Sequence, residues 1–320
     1  MPKLKLALYW AASCGGCEIA VLEIHDKILE LAEAAEIVFW PAAMDAKYKD
    51  VEAMPDNYID VTLFNGAIRT SEAEHIAKLL RAKSKFLVAY GSCAVEGCIP
   101  ALANLHNRDQ IFEWVYRGTP STDNRDGIVP QTRTAVPEGE LVLPEFYDTV
   151  KTLAQTVLVD YFVPGCPPVA EQTWAVLEKI IKGEPLPPPG SVIGAGEKTV
   201  CDECDRKKEE KKIKKFYRPY EKIPEPEICL LEQGIICAGP ATRSGCGAKC
   251  IKANMPCRGC YGPPDGVLDQ GAKLLGALAS IIDSTDEEEI KEILDGIVDP
   301  VGTFYRFSLA DSLIRRKVIR

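Results

Sequence analysis

Residues 3–18 read KLKLALYWAASCGGCE. Lys3 to Trp10 is an apolar run fit for a strand, a short turn then holds Cys14, Gly15, Gly16 and Cys17, and a helical pattern starts at Glu18. From Glu18 to Ala35 the residues Ile19, Leu22, Ile28, Leu29 and Leu31 recur at helical spacing and predict a buried stripe. The same grammar repeats along the chain. Ile37 to Trp40, Ile59 to Phe64, Lys85 to Tyr90 and Thr156 to Val163 read as further strands. Ser71 to Lys83, opening on serine and acidic residues, and Val169 to Lys182 read as helices. Alternation of this kind predicts an α/β fold, a flavodoxin-like parallel sheet with helices on both faces, over residues 1–185.

Residues 100–155 interrupt the alternation with a long Pro-, Thr-, Gly- and Asp-rich stretch, which reads as a functional or partner-binding loop. Pro185 to Gly190 is a proline-rich connector and marks a domain boundary. Beyond it, residues 186–320 form a smaller, irregular unit expected to fold around metal centres, with helices over Asp265 to Asp283, Asp286 to Val298 and Ser308 to Lys317. The charged run from Asp205 to Lys215 reads as a solvated helix face.

With 46% apolar and 27% charged residues, the chain has the composition of a folded globular protein. Its net charge of -9 disfavours nucleic acid and anionic membrane surfaces as partners. No stretch reaches the roughly 18 apolar residues of a membrane span, and Met1 to Trp10 lacks a signal-like cleavage site, so a cytoplasmic location is expected.

Cysteine is where the composition departs from the average: there are 13. A large protein kept reduced by its surroundings uses cysteines for metal ligation rather than disulfides. His25, His75 and His106 lie far from the densest cysteine groups in the sequence and read as ordinary structural or surface residues.

Cys14 and Cys17 follow the first strand, Cys93 follows the strand ending at Tyr90, and Cys166 follows the strand ending at Val163. Ligands of open parallel sheets bind beyond the carboxyl ends of strands, so these four thiolates converge. Four thiolates can hold a 4Fe-4S cube. Gly15, Gly16, Gly91 and Gly165 flank them, where a missing side chain lets backbone amides approach the cluster sulfurs.

The remaining eight, Cys201, Cys204, Cys229, Cys237, Cys246, Cys250, Cys257 and Cys260, divide by count into two more tetrads. Their two Cys-x2-Cys pairs would equally suit halves of a zinc site, so spacing leaves iron-sulfur and zinc open. Other chemistry finds no support. Gly194 to Thr199 lacks the spacing of a phosphate loop, and Ser13 and Ser92 have no His-Asp partners in view. Glu18 reads as a structural residue of the turn, with a place in a proton route at a subunit interface as the alternative.

Three motifs, Ser13-Cys14-Gly15-Gly16-Cys17-Glu18, Gly91-Ser92-Cys93-Ala94 and Pro164-Gly165-Cys166-Pro167-Pro168, resemble those around the proximal cluster of nickel-iron hydrogenase small subunits. A related quinone-oxidoreductase subunit shares them but lacks the second half. That half, through Cys229-Leu230-Leu231-Glu232-Gln233-Gly234, Cys237-Ala238-Gly239-Pro240 and Pro256-Cys257-Arg258-Gly259-Cys260, resembles the hydrogenases alone. The resemblance extends most closely to the small subunit of the methanogen methyl-viologen-reducing type, which does not reduce the deazaflavin coenzyme.

That resemblance implies an oxidoreductase subunit with no nickel site of its own, carrying three 4Fe-4S clusters. Cys14, Cys17, Cys93 and Cys166 would hold the proximal cluster, Cys246, Cys250, Cys257 and Cys260 the medial one, and Cys201, Cys204, Cys229 and Cys237 the distal one. Many relatives have histidine where Cys201 stands; thiolate there adds negative charge and stabilises the oxidised state. Many also lack a cysteine equivalent to Cys250, which supplies the ligand for a fourth iron. Cys98 is left over and is expected to be a buried, unligated thiol. The implied partners are a nickel-iron large subunit and, as acceptor, a ferredoxin-like adapter with a heterodisulfide reductase complex. Residues 100–155 and Phe304 to Arg320 are the expected interface elements. A small subunit of a deazaflavin-reducing or sulfur-reducing hydrogenase, and a zinc-stabilised scaffold, are the competing expectations.

Overall fold

The computed structural model describes residues 3–209 and 212–314. Its centre is a six-stranded sheet of β1 (Leu4–Trp10), β2 (Ala35–Phe39), β3 (Ile59–Asn65), β4 (Ser84–Tyr90), β5 (Tyr161–Val163) and β6 (Ser191–Val192). Every neighbouring pair is parallel and the order is β2-β1-β3-β4-β5-β6, the flavodoxin-like winding expected. Sheets covered on both faces need strands apolar on both sides, which is why Leu6 to Trp10 of β1 is an unbroken apolar run, while β3 interrupts Ile59, Val61 and Leu63 with Asp60 and Thr62. Leu6, Leu8, Val61 and Leu63 feed one layer of core, and Ala7, Tyr9, Ile59 and Phe64 the other. Buried Thr62 is accommodated by pairing its hydroxyl with that of Ser84 at 2.6 Å.

The helix expected over Glu18 to Ala35 is two helices, α1 (Gly16–Leu22) and α2 (Lys27–Ala34), separated by a turn in which His25 has φ +56°. The break resets the helical phase. Val21, Ile24 and Leu31 take the core, while Ile19, Leu22 and Leu29, read as a buried stripe, are 54%, 50% and 67% exposed. α3 (Ser71–Lys83) matches its expected span, with Thr70 as the cap, its hydroxyl accepting from Ala73 N at 3.2 Å. Of Thr156 to Val163 only the last three residues are strand, because Thr156 and Val157 N–H groups turn back to Leu153 O. α4 (Ser92–Glu96) follows β4, and α5 (Ala170–Ile181) follows β5.

Residues 100–155 are not a loop. They hold a helix over Arg108–Glu113, a hairpin of Arg133–Val136 with Gly139–Val142, and a strand, Phe146–Lys151, antiparallel to Ile68–Thr70. Buried Asn104 completes this ladder like a strand residue, donating to Val150 O at 3.0 Å and accepting from Val150 N at 2.7 Å. Unpaired, those buried groups would each cost about 1–3 kcal/mol.

The second half is irregular, with α6 (Lys249–Lys252), α7 (Gln270–Ala279) and α8 (Glu287–Asp295). α7 starts later than expected because Asp269 caps it, accepting from Ala272 N at 2.8 Å. The described part of Asp205 to Lys215 is extended rather than helical, with bridges Lys207 to Ile228 and Ile213 to Ile282. Ser308 to Lys317 contains one tight turn, Leu309–Asp311, and its last three residues lie outside the described ones. One apolar cluster joins Ala67, Ala101 and Val150 to Val200, Phe216, Leu230, Leu274 and Phe304, packing the second half onto the first. No helix among the described residues is long and apolar enough to cross a membrane.

Candidate metal centres

Cys14 and Cys17 sit on the turn after β1 and the start of α1, Cys93 at the start of α4, and Cys166 just after β5. All four lie at the carboxyl edge of the sheet, as expected. Gly91 closes β4 with φ +86°, and a β-carbon there would stand 2.2 Å from Cys17 Sγ, so only glycine leaves room for that sulfur. Ser92 ties three segments together. Its N–H donates to Gly165 O at 2.8 Å, its hydroxyl accepts from Gly165 N at 3.2 Å, and the same hydroxyl donates to Cys260 O in the second half.

Glu18 is buried and braces this edge. Asn65 Nδ2 donates to one carboxylate oxygen at 2.8 Å, Trp40 Nε1 donates to the other, and Asn65 also bonds Tyr9 O and Ser13 Oγ. That is the structural role expected of it. Burial pushes the Cys17 thiol up to about 12, with Cys166, Cys14 and Glu18 adding negative charge nearby. Thiols held this way lose their protons readily only to a bound cation. Cys98, fully buried, lies 3.7 Å from Cys166, sulfur to sulfur, so the leftover thiol belongs to the wall of this site, a proximity that no spacing in the chain foretells.

Cys246, Cys250, Cys257 and Cys260 line one cavity of about 680 Å³. Cys166 lines it as well. His25, read as an ordinary structural or surface residue, is exposed and lines this cavity. Gln270 Nε2 donates to Gly259 O at 2.8 Å and holds the turn between Cys257 and Cys260, while the Thr242 hydroxyl donates to Ala238 O at 2.6 Å. Burial, ahead of the charges of Cys246 and Cys250, pushes Cys257 up to about 11.

Cys201 and Cys229 line a second cavity of about 580 Å³ walled by Lys208 and the Ala272, Gly276 and Ala277 side of α7. A β-carbon on Gly239 would lie 3.1 Å from Cys201 Sγ and 3.6 Å from Cys237 Sγ, so both sulfurs flank that backbone. Cys204 borders a smaller recess on the other side with Arg206. Arg206 is buried and donates to Glu225 O at 2.8 Å, Ile228 O at 2.9 Å, Ile251 O at 3.3 Å and the Asn254 side chain. It thereby fixes the Cys204, Cys229 and Cys250 segments against one another. Cys257 N donates to Cys237 Sγ at 3.3 Å, so the two quartets share a wall.

A single zinc ion must lie about 2.3 Å from each of its sulfurs. Among the described residues no three His, Cys, Asp or Glu side chains gather closely enough for one ion. Thiols rimming cavities of 580 and 680 Å³, with backbone amides aimed at the sulfurs, suit a bulkier inorganic group.

Residues 14–180 match the family described as NADH ubiquinone oxidoreductase, 20 Kd subunit, and that span takes in the first four cysteines. Over 99% of both chains the sequence is 42% identical to the iron-sulfur subunit of the F420-non-reducing hydrogenase of Archaeoglobus profundus. It is 38% identical to the corresponding F420-non-reducing hydrogenase subunit of Methanothermobacter marburgensis, over 99% of this chain and 97% of that one. The chain belongs to the family of F420-non-reducing hydrogenase iron-sulfur subunits. Members of this family are components of an oxidoreductase, and hydrogenase small subunits bind iron-sulfur clusters and carry electrons. A chain of the NAD+-reducing [NiFe]-hydrogenase in the H2-reduced state superposes on this hydrogenase subunit with a TM-score of 0.50 at 28% identity, covering 59% of the present chain and 97% of that one.

Proposed function

We propose that this chain is the electron conduit of a cytoplasmic nickel-iron hydrogenase, with the nickel-iron centre on a partner large subunit. Cys14, Cys17, Cys93 and Cys166 would hold the proximal 4Fe-4S cluster, Cys246, Cys250, Cys257 and Cys260 the medial one, and Cys201, Cys204, Cys229 and Cys237 the distal one. The acceptor is a ferredoxin-like adapter with a heterodisulfide reductase complex. Residues 1–185 carry the first site and residues 186–320 the other two.

One observation carries this reading: the three thiol groups adjoin in a row. Cys166 lines the cavity of the second group, the Ser92 hydroxyl beside Cys93 donates to Cys260 O, and Cys257 N meets Cys237 of the third. When bound, iron-sulfur cubes supply reversible one-electron redox chemistry. The protein's part is to supply thiolates, to exclude water by burial, and to aim N–H donors at sulfur, each of which sets potential.

The ends of the row differ, which supports two partners. Around the first group Trp10, Ile19 and Leu22 leave an apolar rim 46%, 54% and 50% exposed, the composition of an obligate interface. The 100–155 insertion adds exposed Trp114, Ile128, Leu141 and Val142. Anaerobic purification followed by iron analysis and paramagnetic spectra after dithionite tests the proposal. About twelve iron atoms per chain are expected from three 4Fe-4S clusters. About eight, a three-iron signal, or colourless zinc-bearing protein would overturn it.

A further inference from the structure

A recess of about 320 Å³ beside the second and third cysteine groups is lined by Arg218, Arg258 and Arg306 together with Tyr217, Tyr220 and Val298. Arg258 lies between Cys257 and Cys260 in the chain. The charges of Arg306 and Arg218, and of the sulfurs of Cys237 and Cys250, act on it. Among the described residues the ion pairs of the second half, Lys207 with Glu227, Arg243 with Asp265 and Lys249 with Glu171, leave all three guanidinium groups out. Arg306 Nε donates to Gly302 O at 2.9 Å, and Arg218 lies 6.0 Å from the centre of the Tyr220 ring. Asp299 also lines the recess, one of its carboxylate oxygens accepting from Gly302 N at 2.9 Å. The Glu221 carboxylate accepts from the backbone N–H of Arg218 at 2.6 Å rather than from its side chain.

Carboxylates are not scarce in this chain, which has 47 acidic side chains against 38 Lys and Arg. Three cations against the single carboxylate of Asp299 leave this recess net positive, and like charges in one recess repel until further anions join them. Arginine's planar fork matches carboxylate in a two-point bond. On the rim Tyr220 and Val298 are 82% and 70% exposed, and tyrosine with arginine is the pairing that dominates binding energy at protein interfaces. The large subunit is a poor occupant. It is assigned to the far end of the row, and an obligate contact is large and depleted of charge. A transient electron-transfer contact is small and steered by charge.

We propose that this recess is the docking point of the electron-accepting protein, and that the acceptor presents an acidic face whose carboxylates seat on Arg218, Arg258 and Arg306 around an apolar contact with Tyr220 and Val298. The inference rests on the conduit reading and adds where the electrons leave and by what chemistry the partner is recognised.

The test uses the purified hydrogenase complex with Arg218→Glu and Arg306→Glu, neither of which alters a cysteine neighbour. Hydrogen-driven reduction of a small acidic ferredoxin is compared with reduction of a small uncharged quinone. Each reversal is expected to lower the ratio of ferredoxin to quinone kcat/KM about tenfold and to flatten its dependence on salt. Arg218→Lys should recover part of the loss. Unchanged ratios and salt slopes with iron content and spectra intact would overturn the docking site alone. So would loss of the large subunit from the Arg218→Glu complex, since that would assign the recess to the other partner. Wild-type protein without iron would instead sink the conduit reading, and the docking site with it.

Discussion

Gly91→Ala tests the first cysteine site most directly. Gly91 has φ 86° and ψ 152°, a region that essentially only glycine occupies, and holding another residue there costs about 1–3 kcal/mol. The new methyl would also stand 2.2 Å from Cys17 Sγ, so the sulfur or the β4 terminus must move by more than an ångström. Overpacking of this kind costs about 1–3 kcal/mol more. The two together give a loss of roughly 2–6 kcal/mol, concentrated where Cys17 must meet Cys14, Cys93 and Cys166. Gly139→Ala separates the two effects, because Gly139 also has a positive φ, +146°, but nothing lies within 4 Å of the added atom. Urea unfolding midpoints and iron per chain are the readouts. Gly139→Ala should shift the midpoint modestly and keep its iron, while Gly91→Ala should shift it further and lose iron from one site. If Gly91→Ala keeps wild-type iron and a midpoint no lower than that of Gly139→Ala, the packing reasoning is wrong.

Arg206→Ala removes four donors' worth of contacts and strands the carbonyls of Glu225, Ile228 and Ile251; a loss of roughly 2–4 kcal/mol and lower iron occupancy at the Cys204 site are expected on denaturation and metal analysis. Cys98→Ala should retain all its iron while Cys166→Ala loses about four atoms per chain; equal losses would make Cys98 a ligand. Glu18→Gln must turn one donor towards Trp40 Nε1 or Asn65 Nδ2, so thermal stability should fall by about 1–3 kcal/mol. Glu171 is held below the ordinary carboxylate range by a hydrogen bond to its own backbone N–H and by Lys249, so its small contribution, about 0.2–1 kcal/mol at this exposed pair, is present at neutral pH. It is lost as the pH falls through its depressed folded value, and Glu171→Gln should converge with wild type in acid unfolding curves.

The sheet was legible because strands buried on both faces leave long apolar runs, and the first cysteine site because each of its thiols follows such a run. Ser71 to Lys83 was legible for a local reason, a capped amphipathic turn. The insertion was not, since its order depends on distant pairs, Asn104 with Val150 and Ser71 with Glu145, whose backbones exchange a 3.0 Å bond. The break at His25 was hidden because helical periodicity carries across it. Membership of each later quartet was read from resemblance, and the adjacency of Cys98 to Cys166 is a property of the folded chain only.

The amide of Cys257 on the Cys237 sulfur means that a residue lining one pocket is also a neighbour of the next group's sulfur. Were both groups to hold clusters as proposed, shifting the peptide plane at position 257 would retune two redox centres at once, in opposite senses if the N–H tips from one sulfur towards the other. Engineering the driving force along such a relay is therefore a problem in coupled variables, in which adjacent potentials have to be adjusted as a set.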